Sequence, residues 1–126
     1  MANVKIISYK DKIEKNLEKQ LTDNMNKVGA LVERQAKNNV SQIPPNHPQV
    51  QTGRLRSSII HWQSRDNNKI TESIGSNVKY SKFLELGTVN HPPYPWLIPA
   101  VDQSKEKIEK ILGNKFTTQG DISNLD

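Results

Sequence analysis

Between Asp11 and Asn38 the apolar residues Ile13, Leu17, Leu21, Met25, Val28 and Val32 recur at steps of three or four, and the series runs on to Gln35 and Ala36. That spacing lays one apolar stripe on an α-helix, with Lys, Glu, Asn and Gln on the other faces. At the standard rise such a helix is a rod of roughly 42 Å. A rod with a single stripe needs a sheet or a second helix beneath it. Gly29 falls in mid-helix, where it costs about 1 kcal/mol against Ala, so close packing or a slight bend is expected there. Upstream, Val4 and Ile6 alternate weakly with Lys5 and Ile7, and residues 1–10 read as a short strand or a loose arm.

The pattern then changes. Residues 39–53 (NVSQIPPNHPQVQTG) hold Pro44, Pro45 and Pro48, which forbid regular helix and demote a strand. A loop is expected, mobile until a partner orders it. Residues 52–64 (TGRLRSSIIHWQS) read as a strand, with Ser58, Ile60, Trp62 and Ser64 on one face and Ile59, His61 and Gln63 on the other. Arg65-Asp66-Asn67-Asn68 is a turn cluster, so a hairpin is predicted into a return strand at 69–76 with Ile70 and Ile74 on one face. Val78 and Tyr80 continue that alternation past Gly75.

Tyr80, Phe83 and Leu84 stand at i, i+3 and i+4, one face of a short helical turn. Gly87 suits the position just past its end, where positive φ is cheap only for glycine. The stretch Val89 to Leu97 is broken by Pro92, Pro93 and Pro95. Pro99 fits the first turn of a further helix, carried by Val101, Lys105, Ile108, Ile111 and Leu112 and stopped at Gly113. Residues 114–126 are polar and aperiodic and read as a disordered tail. The expected architecture is a single α+β domain over residues 1–113: a long N-terminal helix and a C-terminal helix packed on a small antiparallel sheet that contains a hairpin.

Composition narrows the function. The chain has 126 residues, 33% of them hydrophobic, and a mean hydropathy of −0.75. Both are low for a free-standing monomer: either the core is small, with long polar segments outside it, or part of the stabilisation comes from neighbouring subunits. The net charge of +5 is uneven: eleven Lys and Arg against five Asp and Glu in residues 1–65 (+6), seven against eight in 66–126 (−1). A basic half can meet nucleic acid or an acidic protein surface, although a solvated Lys-rich helix face is the simpler reading. The absence of Cys excludes disulfides, thiolate zinc sites and thiol catalysis. No stretch reads as a signal peptide or a membrane span. The expectation is a protein made and kept in the cytoplasm unless it leaves within a larger particle.

Candidate chemistry is sparse. His47, His61 and His91 match no metal-ligand spacing, and neither a metal nor a cofactor is expected. Glu72 and Glu85 form a candidate acid–base pair, but a structural carboxylate is the better reading of Glu85, accepting hydrogen bonds from loop amides or pairing with Arg54 or Arg56. Strand alternation would put those two arginines on one face, suited to a carboxylate of the chain or of a neighbour, or to phosphate. Tyr94 and Trp96 alternate with Pro93 and Pro95 in a stiff segment. They serve either as subunit-interface anchors or as a plug, with Trp96 and Leu97 sealing the end of the sheet.

Three blocks, TGRLRSSI (52–59), IGSNVKYSKFLELGT (74–88) and PYPWLIPAVDQSKEKI (93–108), resemble the small tail-component or tail-completion proteins of long-tailed bacteriophages. Thr52, Gly53, Leu55, Arg56, Ser58 and Ile59 match the first family block. Gly75, Tyr80, Phe83, Leu84, Glu85, Gly87 and Thr88 match the second, and Pro93, Trp96, Leu97, Pro99 and Ala100 the third. The resemblance implies a non-enzymatic virion protein of the head–tail joining region in a phage or prophage, made in the host cytoplasm. It would form a hexameric homo-oligomeric ring around the DNA channel, contact neighbouring connector and tail proteins, and touch DNA at most weakly. The competing readings are a small basic nucleic-acid-binding protein and, from a third class, a hydrolase using Glu85 and a histidine.

Overall fold

A computed structural model describes residues 2–9, 15–42, 52–66, 69–87, 89, 93–112 and 117–121. In chain order the elements are β1 (Ala2–Tyr9), α1 (Lys15–Ser41), α2 (Thr52–Ser58), β2 (Ile60–Asp66), β3 (Lys69–Ser76), α3 (Ser81–Leu86), α4 (Ile98–Leu112) and β4 (Thr117–Asp121). The strands form one sheet in the order β2-β3-β1-β4, every pair antiparallel. The α+β class holds.

Alternation assigns the two sheet faces. Val4, Ile6, Ile70 and Ile74 point inward and join Leu21, Met25, Val28, Val32, Ala36 and Val40 of α1 in the core. From Leu21 to Ala36 the α1 stripe is thus the predicted one, extended by Val40; Ile13 lies outside the described residues. Registers such as Val4 opposite Ile74 and Ile6 opposite Glu72 keep the inward set together. From β2, His61 and Gln63 turn toward the same side, and Gln63 Nε2 donates to Thr22 O of α1 at 3.2 Å. Ile60, Trp62 and Ser64 face away, as the alternation requires, and are exposed. β2 and β3 pair as the expected hairpin, with Asp66 opposite Lys69.

Several expectations fail. Residues 52–58 are helix, not strand: Leu55 and Ile59 are the buried pair at i, i+4, and the alternation begins only at Ile60. Ser57 and Ser58 Oγ donate to the carbonyls three residues back, Arg54 O at 3.1 Å and Leu55 O at 2.6 Å, a local pattern that suits a short helical turn. Arg54 and Arg56 therefore do not share a face, since residues two apart on a helix point apart. β3 stops at Ser76, whose Oγ accepts the Val78 N–H at 3.1 Å. Val78 and Tyr80 lie in the turn that follows. The tail expected beyond residue 113 contains β4, which pairs with β1 from Asn3 opposite Asp121 to Ile7 opposite Thr117. β1 is thereby an inner strand and not an arm. The α1 helix runs to Ser41, into the loop expected at 39–53. The rest of that loop, apart from Gln42 and the start of α2, lies outside the described residues, as do Asp11 to Glu14 of the predicted helix.

Gly29 is explained by close approach. A Cβ there would stand 2.6 Å from Glu72 Oε1, 2.7 Å from Glu72 Cγ and 2.7 Å from His61 Nδ1. Helix propensity alone would reward Gly29→Ala by about 1 kcal/mol. We expect the reverse, a lowered melting temperature, because both contacts are held by the sheet. Shortening the obstacle in Gly29→Ala/Glu72→Ala should recover part of the loss relative to Glu72→Ala alone. Thermal melts of the set read this out, and a stabilised single variant would show that α1 lies further from the sheet.

Candidate functional site

Glu85 is the functional-motif residue with the most geometry around it. It sits in α3, buried, and its Oε1 accepts the Trp96 N–H at 3.1 Å and the Leu97 N–H at 2.7 Å. The Ile98 amide stands near enough to help lower the pKa of the same carboxyl. These amides stand at the start of α4, where helical N–H groups lack partners of their own and negative charge is favoured. Pro99 has no N–H to satisfy, and the Ala100 N–H turns back to Leu97 O at 3.0 Å. One side chain thus closes the helix start from eleven residues upstream. Burial pushes the Glu85 carboxyl above its ordinary value of 4.5, and the three amides pull it back.

Trp96 is wholly buried. Its Nε1 donates to Ser81 O at 3.2 Å, and its carbonyl accepts Asn39 Nδ2 at 3.1 Å. Trp96 is therefore the core plug and not a subunit anchor, with the buried Leu97 and Ala100 beside it. The proline-stiffened segment brings the ring inward because its main chain is captured on both sides, by Glu85 and by Asn39. Tyr94 is half-buried against the core and donates its N–H to Leu84 O at 2.8 Å. Asn39 escaped the sequence reading. It also donates to Gln103 Oε1 at 3.0 Å and accepts from Gln35 Nε2 at 3.1 Å. A polar residue near a helix end carries no pattern that would have revealed this.

The remaining motif residues take structural places. Leu55 is in the core, while Gly53, Arg54 and Arg56 are exposed on α2. Thr52 begins that helix. Tyr80 is half-buried; burial raises its hydroxyl pKa, opposed by the Arg54 charge and a backbone hydrogen bond from Leu55. Gly87 ends α3 with φ 78° and gives its N–H to Phe83 O at 2.7 Å. Phe83 turns outward, with Lys82 Nζ 5.3 Å from its ring centre. Pro99 lies in the first turn of α4. Thr88, His47 and His91 lie outside the described residues.

Glu72 belongs to a different group. Fully buried on β3, its Oε1 lies 3.2 Å from His61 Nδ1. Gln63 approaches the same carboxyl, but its Nε2 is committed to Thr22, and Oε2 has no hydrogen-bond partner among the described residues. Burial raises this carboxyl pKa, with His61 and Gln63 opposing. Glu72 and Glu85 are each sealed in separate hydrogen-bond groups, so no shared cleft joins them for acid–base work. Among the described residues no cluster of three His, Asp or Glu could hold a metal ion, and no helix is long and apolar enough to cross a membrane.

Two outcomes follow. Glu85→Ala leaves two amides, those of Trp96 and Leu97, without their acceptor, at about 1–3 kcal/mol for each buried group that water cannot reach. In a Trp62→Phe background it should lower the melting temperature and red-shift the emission of Trp96; unchanged emission would refute the anchoring. For Glu72, a folded pKa above the unfolded one means that the unfolded chain releases this proton more readily. The stabilisation is complete below 4.5 and is lost as pH rises through the raised folded value. Glu72→Gln should thus gain stability relative to the wild type in melts as pH climbs from acid to neutral, and a variant that loses ground to the wild type over that range would contradict the assigned burial.

Comparison with known proteins now adds to this geometry. No match was found among curated proteins or among solved structures. A family model described as "Bacteriophage HK97-gp10, putative tail-component" matches residues 5–87, which is about two thirds of the chain. The match runs from β1 through the glycine that ends α3. The chain therefore belongs to the HK97-gp10-like family of bacteriophage tail components.

Proposed function

We propose that this chain is a structural, non-enzymatic subunit of the ring that joins head to tail, or completes the tail, in a long-tailed phage or prophage. In this reading it surrounds the DNA channel as one copy of a homo-oligomer, with six copies as the resemblance implies, at the neck of the virion and against the adjoining connector and tail proteins. Family membership supports the tail setting. The observation that carries the oligomer is exposed apolar surface on two different elements. Ile60 and Trp62 are 55% and 42% exposed on the outer face of the sheet, and Phe83 and Leu86 are 50% and 58% exposed on α3.

A single self-complementary patch makes a dimer and stops, whereas a ring joins two unlike surfaces head to tail. β2 forms one edge of the sheet and carries the first surface; α3 carries the second. Arg54, whose charge reaches Tyr80, and Tyr94, held against Leu84, flank the second surface, and we assign its polar contacts to them. Aromatic and arginine side chains suit such positions.

Sedimentation of the purified chain should show association that grows with concentration. Trp62→Ser and Leu86→Ser should each weaken it several-fold, while stability changes by no more than about 0.5–1 kcal/mol for Leu86, which is 58% exposed, and by more for Trp62, which is 42% exposed. Labelled protein should sit at the head–tail junction of purified particles. A chain that remains monomeric with its tail partners present, or that is missing from particles, would refute the proposal.

A further inference from the structure

The helices α1 and α4 pack against each other, and a groove of about 460 Å³ runs between them. Its floor is Ala30, Leu31 and Ile111, and its rims are Lys27 and Arg34 on one helix and Lys107 and Lys110 on the other. The spacing explains the shape. Lys27, Ala30, Leu31 and Arg34 fall at i, i+3, i+4 and i+7, and Lys107, Lys110 and Ile111 repeat the start of that pattern, so each helix offers a short apolar strip bordered by cations. Leu31 and Ile111 rest on the core from outside it. Among the described residues no carboxylate lines the groove. Among the described residues none of the four cations takes part in an ion pair.

We infer that this groove is a docking site for an acidic amphipathic helix of a partner protein. The inference rests on the tail-component reading for the existence of such a partner, but its chemistry comes from the groove. Four cations around one concavity attract negative charge. An apolar floor gains from the loss of water only if the occupant brings carbon. Nucleic acid supplies charge alone at its backbone, so it meets the rims and leaves Leu31 and Ile111 wet. A helix with a narrow aliphatic stripe and Glu or Asp on both sides meets both demands, its side chains entering the floor as in other helix-in-groove complexes. The carboxylates then stand opposite Lys27 and Arg34 on one side and Lys107 and Lys110 on the other. Charge complementarity of this kind sets the choice of partner and the rate of encounter.

The full chain can be titrated, by fluorescence anisotropy, into a labelled synthetic helix with a leucine stripe flanked on both sides by Glu. A scrambled peptide of identical composition and a short DNA duplex complete the set of probes. The ordered peptide should bind more tightly than the scrambled one, and the duplex should not displace it. Lys27→Glu/Lys107→Glu, two fully accessible positions, should weaken the ordered peptide by about tenfold or more while circular dichroism is unchanged. Leu31→Ala should remove the preference for the ordered sequence over the scrambled one. Equal affinity for the two peptides, tighter binding of the duplex, or an unaltered affinity in the charge-reversed variant would each overturn the assignment. Incorporation of the wild-type protein into particles is scored separately. If it is incorporated and the peptide fails, the groove assignment falls and the tail role stands; if it is absent from particles, the tail role falls on its own.

Discussion

The carboxylate of Glu85 is the constraint on which the C-terminal half of the fold depends. It gathers the main-chain donors of Trp96 and Leu97 onto α3 and so fixes where α4 begins. With that start fixed, Val101 and Ile108 are buried, and α4 lies along α1. A loop that passes through the interior must find partners for its own peptide groups. Here they come from two sides, a carboxylate on α3 and the Asn39 amide on α1. The aromatic ring then occupies the core with the Trp96 main chain bonded on both sides, its N–H to Glu85 and its carbonyl to Asn39.

Elements defined by many repeats of one period were readable from the sequence; those defined by a single distant bond were not. The α1 stripe and the Ile70/Ile74 alternation recur often enough to survive local noise. Residues 52–58 did not, because they offer only Leu55, with Ile59 just beyond, and two apolar positions fit a helix or a strand equally until something outside chooses. β4 carried no apolar signal at all: it is an edge strand whose order comes from hydrogen bonds to β1, and main-chain pairing leaves no mark in the side-chain pattern. Trp96 was open for a related reason. A tryptophan between prolines can face in or out, and Glu85 and Asn39 decide which, neither being close to it in sequence.

The family match ends at Gly87, and the Glu85 joint crosses that boundary. Its acceptor lies inside the matched span and its donors lie outside. Residues 93–108, which carry the third block of the resemblance, are therefore tied to the matched region by specific bonds and are not an appendage to it. The buried Glu72 on β3 has the opposite character. Its neighbours His61 and Gly29 both lie within the matched span, and it costs the fold a desolvated carboxyl that grows more burdensome as pH rises. An apolar residue of similar size would fill the same space without that cost, so its retention bears on how closely α1 can lie on the sheet, with Gly29 as the matching recess.

The low apolar content acquires a physical meaning when the apolar side chains are located. Single exposed hydrophobic residues are ordinary on any protein, but here they fall in pairs on β2 and on α3. A chain with few such residues to spend leaves large ones outside, while small polar ones, Thr71, Ser73 and Ser76, are buried on the central strand β3. A free monomer would gain by exchanging the two sets. In the proposed subunit the large exposed side chains would instead give a neighbour something to grip. The same division holds between α1 and α4, where carbon forms the floor and charge forms the rim. In the proposed assembly, each of these surfaces would be completed by another chain.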